Sequence, residues 1–229
     1  MVSREIVGSP SDTVATLSWS ILLNLLLRDP KTAYPRSDEA RRRAHEHGFD
    51  ALVPVNDIQH GWVLAQMGRV EEGLSEMLRW ETVMIRLAGA APVAVGISFL
   101  IVAEVDLIAG RWREGLEAVN EGLELALCTR SEFSEAELHR LKGEFLLLGG
   151  KGAASEAAQC FRDAIEVARR QSAKSWELRA TISLGRFLAS QGNRDEARAM
   201  LGEIYNWFTE GFDTADLKDA KALLNELNG

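Results

Sequence analysis

Several features are scarce in this sequence of 229 residues. Its two cysteines, Cys128 and Cys160, fit neither a metal-site spacing nor a disulfide framework, so we read them as small core residues in a reducing compartment. The apolar run WSILLNLLLR is shorter than the roughly 20 helical residues that cross a bilayer, and no signal-peptide pattern precedes it. These absences predict a cytoplasmic protein that does not enter a membrane.

A basic excess is also lacking. Lysine and arginine total 26 against 34 aspartates and glutamates, which gives a formal net charge of −8. Proteins that bind nucleic acid through phosphates usually show a basic surplus or stripe, so we expect no nucleic-acid partner. The run Arg41, Arg42 and Arg43 is too short to change this and is typical of a solvated helix face. Strand patterns are nearly absent, whereas amphipathic helical patterns are frequent.

What the sequence does contain is a repeat. A glycine stands in each of four similar turns, and successive separations of these glycines are 42, 40 and 42 residues: Gly68, Gly110, Gly150 and Gly192. A period near 41 residues lies in the range of helical-repeat proteins. A small residue also stands seven positions before each turn glycine: Gly61, Ala103, Gly143 and Gly185. Another follows five positions after it, or seven in the third unit: Gly73, Gly115, Ala157 and Ala197.

These small residues need a structural reason, because glycine inside a helix costs up to about 1 kcal/mol relative to alanine. If each unit is an antiparallel helix pair, the two small sites let its helices approach closely. The pattern predicts helix pairs at 51–67 with 70–88, 92–109 with 112–129, 134–148 with 154–171, and 174–191 with 194–208. A degenerate pair at 11–28 and 36–47 precedes them, with RDPKTAYP as its connection.

The last unit carries a family resemblance. Its spaced leucines, glycines and alanine resemble the tetratricopeptide (TPR) pattern with longer helices: Leu184, Gly185, Leu188, Gly192, Ala197 and Leu201. The segments AELHRLKGEFLLLGG, AQCFRDAIEVARRQ and WFTEGFDTADLKDAKALLNEL resemble the C-terminal repeat region of large bacterial regulators, in which a nucleotide cyclase domain and a P-loop ATPase domain precede the repeats. The resemblance is strong over 134–229, weaker over 45–133 and slight before that.

The resemblance implies an all-α, right-handed, TPR-like solenoid that forms one domain over 1–229. Its units are a degenerate repeat at 11–47, repeats at 51–88, 92–129, 134–171 and 174–208, and a C-terminal capping helix at 213–227. We expect Gly211 to end the preceding helix, Asp213 and Asp216 to cap the last one, and Phe212 to pack on Leu217. The apolar face of that helix then consists of Leu217, Ala220, Leu224 and Leu227.

Catalytic chemistry is not expected. The sequence has no G-x-x-x-x-G-K-[ST] phosphate loop and no segment like a cyclase domain, so the activities of the resembled regulators are not carried onto this chain. His45 and His47 have the wrong spacing for two helical metal ligands. His60 and His139 stand beside apolar positions, which favours core or groove histidines. We therefore predict neither an enzyme, nor a metal site, nor a cofactor.

Binding is the remaining function. In TPR arrays the first helix of each pair lines the concave side, and counting back from the turn glycines assigns seven candidate groove residues: Trp62, Gln66, Glu104, Arg140, Glu144, Arg179 and Arg186. The three arginines could clamp a carboxylate of a protein or peptide partner, with Trp62 as an anchor. Alternatively, the arginines pair with Glu137, Glu144 or Glu177 of the same chain and bind no partner. An alternative function is an effector-sensing domain in which the concave surface closes over a small ligand.

The first helix has little polar surface. Six large apolar residues fall close together in it: Trp19, Leu22, Leu23, Leu25, Leu26 and Leu27. Because the chain starts at Met1, we expect no upstream repeat to cover this face, and exposed apolar patches usually mark interfaces. The sequence therefore predicts a homodimer through Leu22, Leu23 and Leu26.

Overall fold

A computed structural model describes residues 9–77, 92–130 and 132–229. Every regular element in those ranges is a helix, as the sequence predicts. The chain divides into two compact units, Met1–Arg86 and Leu87–Gly229. A single domain over 1–229 therefore stays a prediction.

The described part of the first unit, residues 9–77, contains two helix pairs. Its helices are α1 (Pro10–Leu26), α2 (Pro30–Glu46), α3 (Val53–Gln66) and α4 (Val70–Met77). Each helix packs against the next, and α1 also contacts α3. The predicted continuation of the fourth helix over 78–88 lies outside the described residues.

Helix α2 begins six residues earlier than the sequence analysis expects. The Asp29 side chain accepts a hydrogen bond from the Thr32 backbone N–H at 3.1 Å, and Pro30 occupies the first turn, where its missing N–H costs nothing. Pro35 lies inside the helix and removes one backbone hydrogen bond near its start. The segment RDPKTAYP is therefore mostly helix rather than a connection, because its Asp-Pro pair is a start signal that outweighs the second proline.

The second unit contains three further pairs and a last helix. Its elements are α5 (Pro92–Ala109), α6 (Trp112–Thr129), α7 (Glu135–Gly149), a 3₁₀ turn (Lys151–Ala153), α8 (Ala154–Arg170), α9 (Lys174–Ser190), α10 (Arg194–Tyr205) and α11 (Ala215–Asn228). Neighbouring helices pack together, and each first helix also contacts the first helix of the next pair: α5 contacts α7, and α7 contacts α9.

The repeat glycines have the backbone conformation that a turn requires. Gly68, Gly110, Gly150 and Gly192 have φ of 85°, 71°, 130° and 88°, values that residues with a Cβ rarely adopt. Arg28 occupies the corresponding turn of the degenerate first pair, 40 residues before Gly68, with φ of 55°. The strict glycine period thus starts one repeat later than the helical period.

The small residues inside the helices serve two different purposes. At the α3–α4 crossing a Cβ on Gly61 would lie 2.6 Å from the carbonyl oxygen of Gly73, so these glycines let two backbones approach as predicted. At two glycines of the second unit, Gly115 and Gly143, the space beside the glycine is filled by an aromatic ring instead. The Phe145 ring of the following repeat occupies the position beside Gly115, and the Phe161 ring occupies the position beside Gly143.

Helix α11 covers the end of the second unit. It packs on α9 and α10 and buries one face made of Leu217, Ala220, Leu223 and Leu227, whereas Leu224 is only partly buried. Its start differs from the prediction. The N-cap residue is Thr214 instead of Asp213, and no side chain makes a capping hydrogen bond. Gly211 has φ of 75° and ends the preceding turn. The ring of Phe212 lies 5.8 Å from that of Tyr205 between centroids.

Candidate binding site

A row of charged side chains runs along α7 and α9, the first helices of two successive pairs in the second unit. On α7, Arg140 contacts Glu137 at 2.6 Å and Glu144 at 3.4 Å. Its side chain is 13% exposed and that of Glu137 is 1% exposed. Burial by itself lowers the pKa of Arg140, but the carboxylates of Glu137, Glu144 and Glu104 together raise it. Arg140 is therefore a charged group whose nearest partners belong to its own chain.

The row continues to the last helix through Arg179. This α9 arginine is 7% exposed and contacts Asp216 of α11 at 2.8 Å and Glu137 at 3.7 Å. Asp216 is likewise buried, so it forms an ion pair between helices rather than the predicted helix cap. Two of the three predicted groove arginines thus pair with internal carboxylates, the outcome the sequence analysis left open. The third carboxylate considered there, Glu177, pairs with Arg169 and Lys174.

At its other end the row opens onto a cavity of about 580 Å³ between α7, α9 and the start of α8. The Ser183 hydroxyl donates a 2.6 Å hydrogen bond to Glu144 Oε1 at this point. Eight residues line the cavity: Glu144, Leu147, Ala154, Ser183, Arg186, Phe187, Ser190 and Gln191. The volume is in the range of sites for small molecules, and the walls combine charged, hydroxyl and apolar groups.

Arg186 differs from the other two groove arginines. It is exposed at the cavity, and it makes no hydrogen bond or ion pair with any residue in the described ranges. Ser183 lies three residues before Arg186 and four before Phe187, and Ser190 lies four residues after Arg186, so these residues share one face of α9. Arg186 and Glu144 were predicted from the sequence, whereas Ser183, Phe187 and Ser190 were not. Helical spacing from Arg186 indicates Ser183 and Ser190, and the same spacing from Ser183 indicates Phe187.

The remaining predicted groove residues are not comparably open. Trp62 on α3 has no exposed surface and is part of the core of the protein, and Glu104 on α5 is 9% exposed. Neither therefore lines an open surface. Gln66 at the end of α3 is partly buried. Of the seven predicted groove residues, Glu144 and Arg186 line the cavity.

The predicted contact face on α1 is divided between core and surface. Leu22 is 6% exposed and packs within the chain, so it is not part of an outer face. Leu23 is 62% exposed, and Leu26 is partly buried. The outer ridge consists instead of Trp19, Leu23 and Leu27, which follow each other at four-residue intervals.

His60 of α3 is paired with a buried serine of α2. Ser37 donates to the Tyr34 carbonyl oxygen at 2.9 Å and lies 3.0 Å from His60 Nδ1. Because the hydroxyl proton is used on the carbonyl, His60 serves as the donor, and Ser37 has no exposed surface to meet a substrate. Burial lowers the pKa of both His60 and His139. This Ser–His pair is therefore a buried hydrogen bond, as expected for core histidines.

One buried carboxylate stands at a position where the other repeats have leucine. Asp106 lies four residues before its turn glycine, like Leu64, Leu146 and Leu188 before theirs. It is 4% exposed, and burial raises its pKa to about 6 although Arg111 lies 3.4 Å away.

Within the described ranges no three His, Cys, Asp or Glu side chains cluster as metal ligands would.

The fold resembles solved TPR-like repeat structures. A kinesin light chain-like protein from Podosopora anserina with nearly identical TPR-like repeats aligns with 75% of this chain and 82% of its own, at 17% identity and a TM-score of 0.54. A second structure of that protein covers 75% and 83%, at 16% identity and a TM-score of 0.53. At such identities the likeness establishes the fold alone: an all-α helical-repeat fold of the TPR type.

Sequence comparisons add no closer relationship. No protein-family model and no curated protein matches the chain. Among the described residues, no helix is both long enough and apolar enough to cross a membrane.

Proposed function

We propose that this chain is a non-catalytic protein-interaction module of a bacterial signalling regulator. TPR-like repeat folds generally mediate contacts between proteins, which supports the first part of this proposal. The resemblance of residues 134–229 to the repeat region of bacterial cyclase and ATPase regulators supports the second. Its two cysteines are unpaired, which favours a reducing compartment such as the cytoplasm. The net charge of −8 disfavours nucleic acid and anionic membranes as partners.

The observation that carries the proposal is the contrast between Arg186 and the two buried arginines. Arg140 and Arg179 are neutralised by carboxylates of the same chain, and a partner would have to displace these to use them. Arg186 needs no such exchange, because it is exposed beside a cavity whose walls combine polar and apolar groups. It therefore provides a charge-assisted contact for an acidic side chain of the partner.

The experiment is affinity capture with the full chain as bait, followed by mass spectrometry. Arg186→Glu reverses the charge at the cavity, and Arg162→Glu makes the same change at an exposed residue of α8 that has no hydrogen bond or ion pair within the described ranges. We expect Arg186→Glu to remove specific partners that the wild type and Arg162→Glu retain. Equal recovery by all three baits, with unchanged helical content, would contradict the proposed surface.

The cavity also favours a second function, the sensing of a small effector. A concave site of about 580 Å³ on which polar groups converge is typical of small-molecule binding, whereas an extended peptide binds in an open groove. An effector bound in this cavity contacts α7 and α9, the first helices of two successive repeats. Binding therefore affects how these two helices pack against each other.

A further inference from the structure

The cavity between α7 and α9 offers one hydrogen-bond donor and one acceptor of opposite charge that do not pair with each other. Glu144 Oε1 accepts from Ser183 at 2.6 Å and from Arg140 at 3.4 Å, and these contacts fix the carboxylate in place. Its second oxygen, Oε2, has no hydrogen-bond partner among the described residues. The guanidinium of Arg186 likewise makes no hydrogen bond or ion pair with any of the described residues.

Glu144 and Arg186 reach the cavity from two packed helices, α7 and α9. Ser183 and Arg186 are three residues apart on α9, a spacing that places their Cβ atoms about 5–6 Å apart on one helix face. Since Ser183 is hydrogen-bonded to Glu144, the Glu144 carboxylate lies beside the residue that precedes Arg186 by about one helical turn. The charges of Glu144 and Arg186 cancel, so the pair favours a ligand that is neutral overall and dipolar.

The rest of the wall is partly apolar, with Ser190 and Gln191 as its polar residues. Leu147 of α7 and Phe187 of α9 border the cavity, and Ala154 at the start of α8 adds a small surface between them. A ligand that fills this volume therefore needs an apolar group besides its charges. A simple anion would meet Glu144, and a simple cation would meet Arg186.

We propose that the cavity binds a small zwitterion with an apolar side chain, that is, a free apolar α-amino acid or an unblocked apolar dipeptide. The ligand carboxylate accepts hydrogen bonds from Arg186, its ammonium donates to Glu144 Oε2, and its side chain packs on Leu147 and Phe187. This inference rests on the effector-sensing function and is independent of protein capture. A failed capture experiment and a failed titration are therefore separate results.

The test is a titration of the ¹⁵N-labelled full chain, followed by amide chemical shifts. The probes are L-leucine and L-leucyl-L-leucine, which distinguish the two ligand sources, together with N-acetyl-leucyl-leucine and leucyl-leucinamide. The first blocked probe lacks the ammonium and the second lacks the carboxylate. We expect saturable shifts at 144–147 and 183–191 with at least one zwitterion, and affinity weakened at least about tenfold by either block.

Variants test the assigned contacts. Arg186→Gln should weaken binding of the unblocked probe at least about tenfold, and Arg162→Gln should leave it unchanged. Glu144→Gln should abolish the preference for the free ammonium over the acetylated probe. Three results would overturn the proposal: no saturable shifts with either zwitterion, equal affinity for free and blocked probes, or shifts that map away from α7 and α9.

Discussion

The Phe161 ring lies where Gly143 would carry a Cβ atom, with Cε1 2.5 Å from that position. Gly185 is the corresponding residue of the next repeat, seven positions before its turn glycine. There the nearest side-chain atom, Leu223 Cδ2, is 3.5 Å from the Cβ position, which is an ordinary contact. Two glycines at equivalent repeat positions therefore differ in whether the fold needs them.

This difference predicts opposite effects of the same substitution. Gly143→Ala should lower the free energy of unfolding by about 1–3 kcal/mol, because the methyl group displaces a fully buried ring. Gly185→Ala should leave stability unchanged or raise it by up to about 1 kcal/mol, since alanine is the better helix residue. Urea denaturation measures both. If the two variants had the same free energy of unfolding, the packing of the Phe161 ring would not depend on the absence of a Cβ atom at Gly143.

A second prediction separates the structural arginine from the binding arginine. Arg179→Ala leaves Asp216 and Glu137 buried without that cation, so it should destabilise the protein by about 3–5 kcal/mol. Arg186→Ala removes an exposed side chain and should change stability by less than about 0.5 kcal/mol. Thermal unfolding followed by circular dichroism measures both values. Comparable losses in the two variants would contradict the assignment of Arg179 to the core.

The third prediction concerns pH and Asp106. Its pKa is raised from 3.8 to about 6 in the folded protein, so the native state binds more protons than the unfolded chain between these values. The ionised carboxylate then opposes folding: the penalty is absent below about pH 3.8, grows as pH rises to about 6 and is complete above it. Asp106→Asn should stabilise the protein by up to about 3 kcal/mol near neutral pH and much less at about pH 4.

Denaturation midpoints at both pH values, compared with wild type, check this prediction. Asp195→Asn is the reference for removing a carboxylate, since its side chain is 91% exposed. A gain from Asp106→Asn that is as large in acid as at neutral pH would mean that burial of the charge is not its cause.

The fourth prediction concerns assembly. Trp19 and Leu23 on α1 and Leu27 directly after it form the outer ridge and are 64%, 62% and 55% exposed. We expect a homodimer through this face, and Leu23→Glu should shift it towards monomer because it places a charge in an apolar contact. Light scattering during size-exclusion chromatography measures the mass. Leu127→Glu, at a leucine that is 82% exposed on α6, is the control and should leave the mass unchanged. A wild-type monomer at micromolar concentration would contradict the prediction.

The turns of this fold were predictable because their cause is local. Gly68, Gly110, Gly150 and Gly192 adopt a backbone conformation that excludes most other residues, so the requirement is visible in the sequence. Arg28 adopts a similar conformation without being glycine. Its turn was therefore predicted as a longer connection, RDPKTAYP, and the start of α2 was placed six residues too late.

The site was less predictable because its electrostatics depend on helices distant in sequence. Asp216 looks like a helix cap locally, but α11 packs on α9 and brings it to Arg179, 37 residues earlier. Arg140, Arg179 and Arg186 look alike in a count from the turn glycine. Only the packed helices determine which of them has a buried carboxylate within reach and which faces the cavity.

The contact between Gly115 and Phe145 has a consequence for how the repeats could be rearranged. The hollow belongs to α6 and the ring that fills it belongs to α7 of the following repeat. Deleting, duplicating or exchanging a repeat at this junction would present a ring to a surface without a hollow, or leave a hollow empty. The two repeats that meet at this junction are therefore not interchangeable, because the shapes of their contact surfaces determine which repeat follows the other.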